Sequence, residues 1–502
     1  MAGPLNGIRV LDLANARAEL AGRVLADLGA EVIKVEPPDG VDSRRLPPFD
    51  ASGESLYWRA VALGKRSLSL DITMTNDRDE LRRLVAGADV LIESFDPGYM
   101  ESLGLGYESL CAVNPALIHV SVTPWGQSGP LADAPATELT LETAGGLVAL
   151  QGDADRPPIP VGFPQAAFHA GVQAAADAAI ALNERDRSGL GQHLDVSMQA
   201  AVVWTLMNAT GYPPNEGRDP PGFGDDRADA RPVAVPGLRP MRAISCADGL
   251  VAANFTQGRP GEATFLGLLA WLREDGDLPP AVEGADFSDW LARVRSGDLS
   301  LDLVNEAIDA LHAFLAKKTK AQVLDTAVRY GLLLAPYFTV RDLVADRQLR
   351  ARRYWRKVGA NTYPGPFARM SRTPIRLRNE APVRGEMAAP PSWPRRRMHA
   401  EGGEREQAFR GLRVADFAWV GVGPIISKAL ADHGATVVHV ESATRPDVLR
   451  AIPPFKDGVP GIDRSQFMPN FNSSKLGLAL DMSKPAAVDL ARRLTGWADV
   501  VV

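Results

Sequence analysis

Short apolar runs alternate with segments of helical periodicity along the first 122 residues of the chain. Apolar runs typical of buried strands lie at residues 9–13, 31–35, 67–71, 89–92 and 117–122. Apolar residues recur at helical spacing in residues 19–28 and 77–86. Strands that alternate with helices favour a doubly wound parallel sheet, whose ligands bind at the carboxyl ends of its strands. The pattern therefore predicts an α/β fold with its chemistry in the loops that follow the strands.

The middle of the chain has a different pattern. Two Ala-rich stretches, residues 168–182 and 198–208, are predicted to be helical, with a polar loop at residues 184–192 between them. Residues 241–254 have the pattern of a β-hairpin, and residues 301–330 that of an amphipathic helix. Hairpin and helix together predict a smaller α+β domain.

The start of the chain recurs near its end. Similar segments pair as 5–13 with 409–417, 26–36 with 431–441, 65–71 with 475–481, and 88–92 with 498–502. The separation, 409 − 5 = 404 residues, far exceeds the roughly 20 to 50 residues of a solenoid repeat. We therefore expect a duplicated domain, in which a first copy (copy one) is followed by a second copy (copy two) that is cut short at residue 502.

The length also calls for several domains, because 502 residues exceed the roughly 250 to 300 at which a single core stops growing. A stretch rich in Pro, Gly and Asp at residues 213–236 is expected to be a linker or surface loop. The predicted boundaries are 1–212 for a large domain, 236–335 for the small α+β domain, 336–385 for a segment that returns to the large domain, 386–407 for an exposed linker, and 408–502 for copy two.

The composition is that of an ordinary soluble protein, with 45% hydrophobic and 23% charged residues. A net charge of −6 gives no electrostatic reason to expect nucleic acid. The two cysteines, Cys111 and Cys246, form neither a metal-binding motif nor a disulfide framework. No apolar run approaches the length of a membrane span, and the first six residues do not resemble a signal peptide. We expect a cytoplasmic protein that binds no metal, nucleic acid or membrane.

Copy two contains part of a dinucleotide-binding pattern. Gly421 and Gly423 follow a predicted strand, and Glu441 lies 441 − 421 = 20 residues further on, near the spacing of a ribose-binding carboxylate. However, Ile426 occupies the position of the third glycine and Pro424 intervenes. A partial motif of this kind is common by chance, so the sequence argues against NAD or FAD.

Six segments of copy one carry a more specific resemblance. They are residues 25–38, 64–68, 94–98, 103–107, 125–130 and 187–197, and they occur in the order found in one family. On these segments, residues 5–385 resemble a class III CoA-transferase of the CaiB/BaiF family, and the whole chain resembles the fused two-copy type. The resemblance implies a Rossmann-like large domain with a smaller inserted domain. It also implies protomers that interlock as rings, or two fused copies that pair within one chain.

The resemblance implies coenzyme A as ligand, with an acyl-CoA and a carboxylic acid as substrates. Cations near the strand ends are then candidates for contacts with the CoA phosphates, and glycines there allow close approach of the backbone. The candidate CoA-binding residues are Arg44, Lys65, Arg66, Phe95, Gly126 and Gly129 in copy one and Lys475 in copy two. Solvated loop cations and ordinary turn glycines are the alternative explanation.

The family's nucleophile is an aspartate in a Gly-x-Pro-x-x-Asp-x-x-x-Gly context. Here residues 162–171 match that context, but the aspartate position is Ala167, whose methyl group cannot attack a thioester. The expectation is that copy one is degenerate and that the nucleophile belongs to the part of copy two beyond residue 502. Glu138 is a weak candidate for a substitute carboxylate, although a carboxylate at a helix start is the more ordinary reading.

Two further functions stay open at this point. A non-catalytic half that binds CoA or pairs with the other copy fits the missing aspartate. A racemase of the alpha-methylacyl-CoA type would need a His-Asp loop, whose matching residues are Thr137 and Glu138, and Thr137 is a poor base. His169 lies two residues after Ala167 and should face elsewhere on a helix, so it is expected to be an ordinary helical histidine.

Copy one departs from the family at two more places. Residues 17–19 read Arg-Ala-Glu where the family has Ala-Gly-Pro, and Asp96 stands where the family has an arginine. A carboxylate at that position would repel a CoA phosphate. Copy two keeps Gly423, Pro424 and Asn472. The departures therefore concentrate in copy one.

Overall fold

The computed structural model describes residues 3–151, 157–220, 235–239, 241, 243–255, 258–396 and 406–502. Contacts divide the chain into two compact units, one of residues 1–230 with 356–502 and one of residues 231–355. Part of the loop predicted at residues 213–236 and part of the linker predicted at 386–407 lie outside the described residues. The domain boundaries given above remain predictions.

Copy one is built on a parallel sheet of β1 to β6. The strands are β1 (Arg9–Asp12), β2 (Glu31–Glu36), β3 (Arg66–Ser69), β4 (Val90–Glu93), β5 (Ile118–Thr123) and β6 (His193–Ser197). Their spatial order is β3-β2-β1-β4-β5-β6, and every pair is parallel. This is the order of a doubly wound sheet, with the crevice for ligands at the carboxyl ends of its strands. The predicted α/β architecture is confirmed.

Helices cover both faces of this sheet. They are α1 (Glu19–Asp27), α2 (Leu56–Ala62), α3 (Thr75–Val85), α4 (Tyr99–Ser102), α5 (Tyr107–Val113), α6 (Glu138–Ala144), α7 (Gln165–Ser188), α8 (Met198–Trp204) and α9 (Tyr212–Glu216). The long helix α7 packs on one face beside α1 through buried alanines, and a Cβ at Gly171 would lie only 3.0 Å from Leu20 Cβ. Small residues thus let the two helices approach closely. The loop predicted at residues 184–192 is wrong in its first half, because α7 continues to Ser188 before Gly189 ends it with a φ of 74°.

The unit of residues 231–355 is a separate α+β body. Its strands β7 (Ile244–Cys246), β8 (Gly249–Ala253) and β9 (Leu334–Pro336) form an antiparallel sheet. Its helices are α10 (Gly258–Glu274), α11 (Pro280–Glu283), α12 (Trp290–Ser296), α13 (Leu301–Leu315), α14 (Lys320–Tyr330), α15 (Val340–Ala345) and α16 (Arg347–Ala351). The predicted hairpin is present. The single helix predicted over residues 301–330 is two helices, because Thr319 caps the start of α14 in a capping box with Gln322.

A short ribbon leads on to copy two, which repeats the first part of the copy-one fold. The ribbon is β10 (Trp355–Val358) with β11 (Asn361–Pro364), and the sheet of copy two consists of β12 (Arg413–Asp416), β13 (Thr436–Glu441), β14 (Leu476–Ala479) and β15 (Val500–Val501). Its helices are α17 (Val422–Asp432), α18 (Phe467–Asn472) and α19 (Pro485–Trp497). The strand order β14-β13-β12-β15 reproduces the order β3-β2-β1-β4 of copy one.

A cluster of buried charges fixes the end of β1. Lys65 Nζ donates to Asp12 Oδ2 at 2.6 Å and to the Glu19 carbonyl at 2.7 Å. Lys34 Nζ lies 3.4 Å from Asp12 Oδ1 and 3.2 Å from Glu19 Oε1, and all four side chains are fully buried. A Cβ at Gly22 would lie 2.2 Å from Asp12 Oδ2, so α1 can pass this close only with a glycine there. The cluster ties β1, α1, β2 and the start of β3 together.

These groups control each other's protonation. Burial acts to raise the pKa of Asp12, but the ammonium groups of Lys34 and Lys65 bring it below its ordinary value. Burial also lowers the pKa of Lys65, with the charge of Asp12 opposing that change. Copy two keeps one of these ion pairs, with Asp416 Oδ2 accepting from Lys475 Nζ at 2.9 Å and from the Ser427 hydroxyl at 2.7 Å, and has His439 in the place of Lys34.

Within the described part of the chain, no helix is both long and apolar enough to cross a membrane.

Replacing Asp12 with asparagine should destabilise copy one. The change leaves Lys34 and Lys65 buried beside a neutral amide, and an uncompensated buried charge costs about 3 to 5 kcal/mol. Urea unfolding followed by circular dichroism measures the loss. The exposed carboxylate of Asp39 provides the control, since Asp39→Asn should change stability by no more than about 0.5 kcal/mol. Equal unfolding midpoints for Asp12→Asn and the wild type would contradict the role given to this cluster.

Candidate active site

The carboxyl ends of β1 to β4 enclose a cavity in copy one of about 260 Å³. Its lining residues are Leu13, Asn15, Val35, Glu36, Pro37, Gly40, Val41, Asp42, Leu70, Asp71, Ile72, Thr73, Phe95 and Tyr99. Of the candidate CoA-binding residues, Phe95 lies here, and its ring packs against Tyr99 with centroids 4.9 Å apart. The lining set includes three carboxylates and contains no lysine or arginine. Its charge is unfavourable for a phosphate.

Ala167, the residue at the position where the family pattern has an aspartate, lies in the first turn of α7. Ala167 is buried at 5% exposure, and its backbone N–H is 3.4 Å from Glu138 Oε1, which also accepts a bond from the N–H of Ala166. Glu142 Oε1 accepts from the N–H of Gln165 at 3.3 Å. Because Pro164, the N-cap residue, supplies no side-chain cap, these two carboxylates satisfy the first amides of α7. Glu138 therefore lies beside position 167, but as an acceptor for a helix start.

Both carboxylates occupy one face of α6, four residues apart. Burial raises the pKa of Glu138, the amides of Ala166 and Ala167 oppose that change, and the nearby charge of Glu142 adds to it. Glu142 is 1% exposed, and its Oε2 has no hydrogen-bond partner among the described residues. The start of α7 is thus an acidic environment.

Three other residues near this site, Thr137, His169 and Tyr57, are explained by helix capping, exposure on a helix and a hydrogen bond to the main chain. Thr137 is the N-cap of α6, where its hydroxyl accepts a hydrogen bond from the N–H of Thr140. His169 is exposed on α7, and burial of its ring lowers its pKa, with Glu142 opposing. Tyr57 donates to the Ala16 carbonyl at 3.3 Å, and burial raises the pKa of its hydroxyl. The sequence-based view of His169 as a histidine on the side of the helix away from Ala167 agrees with this exposure.

Arg44 is held by an ion pair and an aromatic ring. Its Nε and NH2 groups donate to Glu36 at 2.8 and 2.6 Å, and its guanidinium lies 3.9 Å from the centroid of the Trp58 ring. NH2 also donates to the Pro382 carbonyl at 3.2 Å. These contacts occupy the groups that a bidentate bond to phosphate would need.

The two lysines proposed as CoA contacts are interior residues. Lys65 is 1% exposed and belongs to the Asp12 cluster, while the side chain of Lys475 is 1% exposed and is bound to Asp416, Asn472 and the Pro424 carbonyl. Their burial does not fit contact with a solvent-borne phosphate. A spacing motif identifies such a lysine but does not report how deeply it is buried.

Arg66 and the two glycines lie in three different places. Arg66 is exposed at the amino end of β3, in a cavity of about 360 Å³ that also contains Arg376 and Arg378, away from the carboxyl ends of the strands. Gly126 and Gly129 have φ angles of 99° and 104°, which favour glycine. A Cβ at Gly126 would lie 3.7 Å from Asp195 Oδ2. The structure therefore does not gather the predicted CoA-binding residues into one site.

The two departures from the family pattern in copy one contact each other. Arg17 NH1 donates to Asp96 Oδ1 at 2.8 Å, beside the loop that follows β4. The Asp96 side chain is 79% exposed, so the pair is solvated and contributes little to stability. Its consequence is local neutralisation, because each charge is offset by the other.

A polar cluster on β4, β5 and β6, in which Glu93 and His119 are buried and His193 is exposed, was not predicted from the sequence. Glu93, His119 and His193 lie on one face of the sheet, with His119 Nε2 3.9 Å from Glu93 Oε1 and His193 Nε2 2.9 Å from the Ser121 hydroxyl. Neither ring nitrogen of His119 has a hydrogen-bond partner in the described chain. The signal was present in the alternation of polar residues along β5 and β6, but β6 itself was not recognised as a strand.

Burial sets the protonation of this cluster. It raises the pKa of Glu93 to about 7, against the opposing effect of a hydrogen bond from Ser121. It lowers the pKa of His119 to about 3, with His193 adding to the shift. At neutral pH His119 is therefore uncharged, while Glu93 is close to its midpoint. Among the described residues, no group of three or more His, Cys, Asp or Glu side chains is arranged to hold a metal ion.

Comparison with known proteins agrees with the fold. The family described as CoA-transferase family III matches residues 5–388 and 409–502. The BbsE subunit of succinyl-CoA:(R)-benzylsuccinate CoA-transferase from Thauera aromatica is 32% identical over 394 residues, covering 75% of this chain and 91% of that protein. Succinate–glutarate CoA-transferase from Agrobacterium fabrum is 31% identical over 395 residues, covering 77% of this chain and 92% of that protein.

A solved structure extends the comparison to three dimensions. The crystal structure of a CAIB/BAIF family protein from Brucella suis matches with a TM-score of 0.64 and 30% identity, over 77% of this chain and 97% of that one. The chain belongs to CoA-transferase family III, a family of enzymes, and the resemblance inferred from its sequence is confirmed.

Glu93→Gln should stabilise the protein at pH 8 and have little effect at pH 4. The folded pKa of about 7 lies above the ordinary value of 4.5 for a glutamate. The stabilising effect of the protonated carboxyl is therefore complete below pH 4.5 and is lost as the pH rises to about 7. Above that pH, the variant should gain about 1 to 3 kcal/mol over the wild type. Urea titrations from pH 4 to 8 measure this difference.

The exposed Glu108→Gln variant on α5 is the matched control and should follow the wild type throughout. A Glu93→Gln variant whose advantage does not grow between pH 4.5 and 7 would show that Glu93 is ordinarily ionised in the fold.

Proposed function

We propose that this protein serves the transfer of CoA from an acyl-CoA to a carboxylic acid, and that copy one supports the reaction without forming the covalent intermediate. The observation that carries the second part is the methyl group of Ala167 where the family has its aspartate. The nearby carboxylates of α6, Glu138 and Glu142, accept hydrogen bonds from amides at the start of α7. The catalytic aspartate then comes from another class III copy.

The reaction requires an exposed carboxylate. A carboxylate oxygen attacks the thioester carbon and the C–S bond breaks, giving a mixed anhydride and CoA thiolate. The thiolate attacks the enzyme's own acyl carbon, which releases the first acid and leaves an enzyme-bound CoA thioester. The second acid attacks that thioester and frees CoA thiolate, which then attacks the new acyl group and regenerates the enzyme carboxylate. Each step needs an oxygen that can leave its hydrogen bonds and reach the substrate.

The surroundings of Glu138 oppose that role. Its Oε1 satisfies the N–H groups of Ala166 and Ala167, and its pKa is raised by burial and by Glu142, so more of the carboxyl is protonated than in water. A protonated carboxyl is a poor nucleophile. Withdrawing the group from α7 would also leave helix amides without acceptors. These features favour a structural carboxylate.

Copy one also offers little to the charged end of CoA. The cavity at its strand ends includes Phe95 and Tyr99 but is lined by Glu36, Asp42 and Asp71. Arg17 is neutralised by Asp96. We expect any CoA bound there to rely on apolar and main-chain contacts, with weak affinity.

The alternative with a specific observation in its favour is an active copy one that uses Glu138. The Glu138 carboxylate does lie beside position 167. Its two hydrogen bonds to α7 are both accepted by Oε1, so neither of them involves Oε2. This alternative predicts CoA exchange that Glu138→Gln abolishes. A racemase finds less support, because Thr137 caps α6 and His169 is exposed on α7.

The two copies contact each other within the unit that contains both. Asn208 Nδ2 donates to the Pro453 carbonyl at 2.7 Å, and the N–H of Phe455 donates to Glu216 Oε1 at 3.0 Å. These contacts support pairing of the two copies inside one chain, in place of an interlocked dimer. Both cysteines are free thiols, which supports our placement of the protein in the cytoplasm.

The chain as given should show no covalent chemistry in copy one. Incubation with succinyl-CoA, chosen because relatives are named for succinate, should yield no adduct at Glu138 after hydroxylamine treatment and mass spectrometry. Exchange of labelled succinate into succinyl-CoA should be equal in the wild type and Glu138→Gln. A hydroxamate on Glu138, or exchange lost in the variant, would favour the active-site alternative and reject the scaffold role.

Restoring the carboxylate should create reactivity. In a double variant, Ala167→Asp with Glu138→Gln, the new carboxylate occupies the family position and is free of like-charge crowding from Glu138. We expect a hydroxylamine-sensitive adduct at position 167 with succinyl-CoA, while the matched Ala167→Asn with Glu138→Gln control stays unmodified. The idea that position 167 borders the acyl site fails if the folded double variant remains unmodified at saturating succinyl-CoA.

A further inference from the structure

The outer strand of copy two presents an open edge beside a large cavity. β14 is the last strand on its side of the sheet, and Leu476 is 60% exposed. The adjoining cavity has a volume of about 720 Å³. It combines apolar groups with charged ones, including Met468, Leu478, Glu441 and Arg450. An open strand edge next to an apolar cavity is a template for pairing with another extended segment.

Copy one shows what covers the equivalent edge. The N–H of Met387 donates to the Ser67 carbonyl on β3 at 3.0 Å, and the N–H of Gly385 donates to the Ser67 hydroxyl at 2.9 Å. The N–H of Ser67 in turn donates to Glu386 Oε1 at 3.4 Å. Met387 is 8% exposed and packs into the core that contains Leu68. An extended segment thus closes β3 through main-chain bonds and one apolar side chain.

The same segment is also anchored at its other end. The Pro382 carbonyl accepts a bond from Arg44 NH2 at 3.2 Å, while Arg44 is paired with Glu36. Ala381 packs against Trp58 and its neighbours. Along its length, the segment of residues 381–387 therefore contacts the Trp58 cluster, the Arg44–Glu36 pair and the edge of β3.

Copy two presents the Arg–Glu pair and the strand edge in the same way, but Gly477 has no counterpart of the Ser67 hydroxyl. Arg450 donates to Glu441 at 2.6 and 2.7 Å, as Arg44 does to Glu36. Gly477 pairs with His439 in the register in which Ser67 pairs with Lys34, so its N–H and C=O point away from the sheet as those of Ser67 do. In the described residues, no segment of copy two lies on this edge in the way that residues 381–387 lie on β3.

One difference limits the length of the segment that fits. In copy one, Trp393 follows the covering segment and packs over Arg9, 5.7 Å from its guanidinium to the ring centroid. In copy two, Trp497 lies over Arg413 at the same 5.7 Å and comes from α19 of the same copy. The place of Trp393 is therefore already filled. A segment that binds to β14 can therefore correspond to residues 381–387 and no further, because the position equivalent to Trp393 is occupied.

We propose that β14 and its cavity form a docking site for an extended polypeptide segment with the chemistry of residues 381–387, contributed by another class III CoA-transferase copy. The segment supplies a carbonyl for Arg450, an N–H for the Gly477 carbonyl and an unbranched apolar side chain that packs beside Leu478. The binding mode is addition of a strand to a sheet edge, in which main-chain bonds give affinity and alternate side chains give specificity. This inference goes beyond the proposed reaction and does not depend on it.

The test uses the full chain and a synthetic peptide with the sequence of residues 380–388. Hydrogen exchange read by mass spectrometry should slow in residues 475–480 when the peptide is added, with a saturable dependence on its concentration. N-methylation of the peptide methionine removes the N–H that bonds to Gly477. It should weaken binding about tenfold, the effect of one lost hydrogen bond. Replacing that methionine with aspartate should abolish protection, because a charge would enter an apolar contact.

Four outcomes would overturn the proposal. One is the absence of protection at residues 475–480 at millimolar peptide. Another is equal protection by the N-methylated peptide, which excludes the main-chain bond. The third is protection in the free chain that rises with its own concentration, which would mean that the edge is closed by the β14 strand of a second molecule. Protection confined to residues 66–70 would also count against it, since the peptide would then only be exchanging with residues 381–387 on β3.

Discussion

The buried carboxylate at the end of the first strand is the constraint on which both copies depend. Asp12 and Asp416 each accept a bond from a buried lysine, and each also accepts a 3.0 Å bond from the backbone two residues later. A charge in this position costs several kcal/mol unless it is paired and hydrogen-bonded, so the lysine and the carboxylate hold each other in place. The lysine of each pair directly precedes the next strand, β3 in copy one and β14 in copy two. The pair therefore also holds the end of the loop that leads into that strand. Both copies combine this pair with the same order of their first strands.

The amino-acid sequence was sufficient for the parallel sheet and the family, because each depends on apolar periodicity or on motifs in order. It was not sufficient for the roles of Lys65 and Lys475. Their motif is the same whether the ammonium group faces solvent or the interior, and only packing against α1 and α17 decides that. Strand β6 escaped prediction for a related reason. Its outward positions carry His193 and Asp195, and their polar neighbours lie on β5, far away in sequence.

Position 167 separates what a local sequence pattern can predict from what depends on tertiary contacts. The spacing of Gly162, Pro164 and Gly171 was enough to locate the alanine, since that spacing is local. The structural role of Glu138 could not be predicted in the same way, because it depends on how α6 packs against the start of α7. The hydrogen bonds between these helices join residues that are 23 and 28 positions apart in the sequence. Once docked, the two carboxylates of α6 complete a helix start that has a proline as its N-cap and no side-chain cap. The same contact that brings Glu138 to the family's catalytic position thus gives it a structural task.

Differences between the copies separate folding from ligand binding. The Asp–Lys pair and the Glu–Arg pair occur in both copies with similar geometry. The Asp–Lys pairs are buried, and the Glu–Arg pairs are partly exposed. The changed groups of copy one lie at its strand ends, where Arg17 and Asp96 replace the family's uncharged and basic residues and neutralise each other in solvent. An exposed pair of this kind adds little stability, so its effect is on the electrostatic potential that an anionic ligand meets. Copy one therefore combines intact determinants of the fold with a strand-end surface that no longer favours phosphate. That combination fits the scaffold role that we propose for copy one, in which another copy binds the anion and carries out the covalent catalysis.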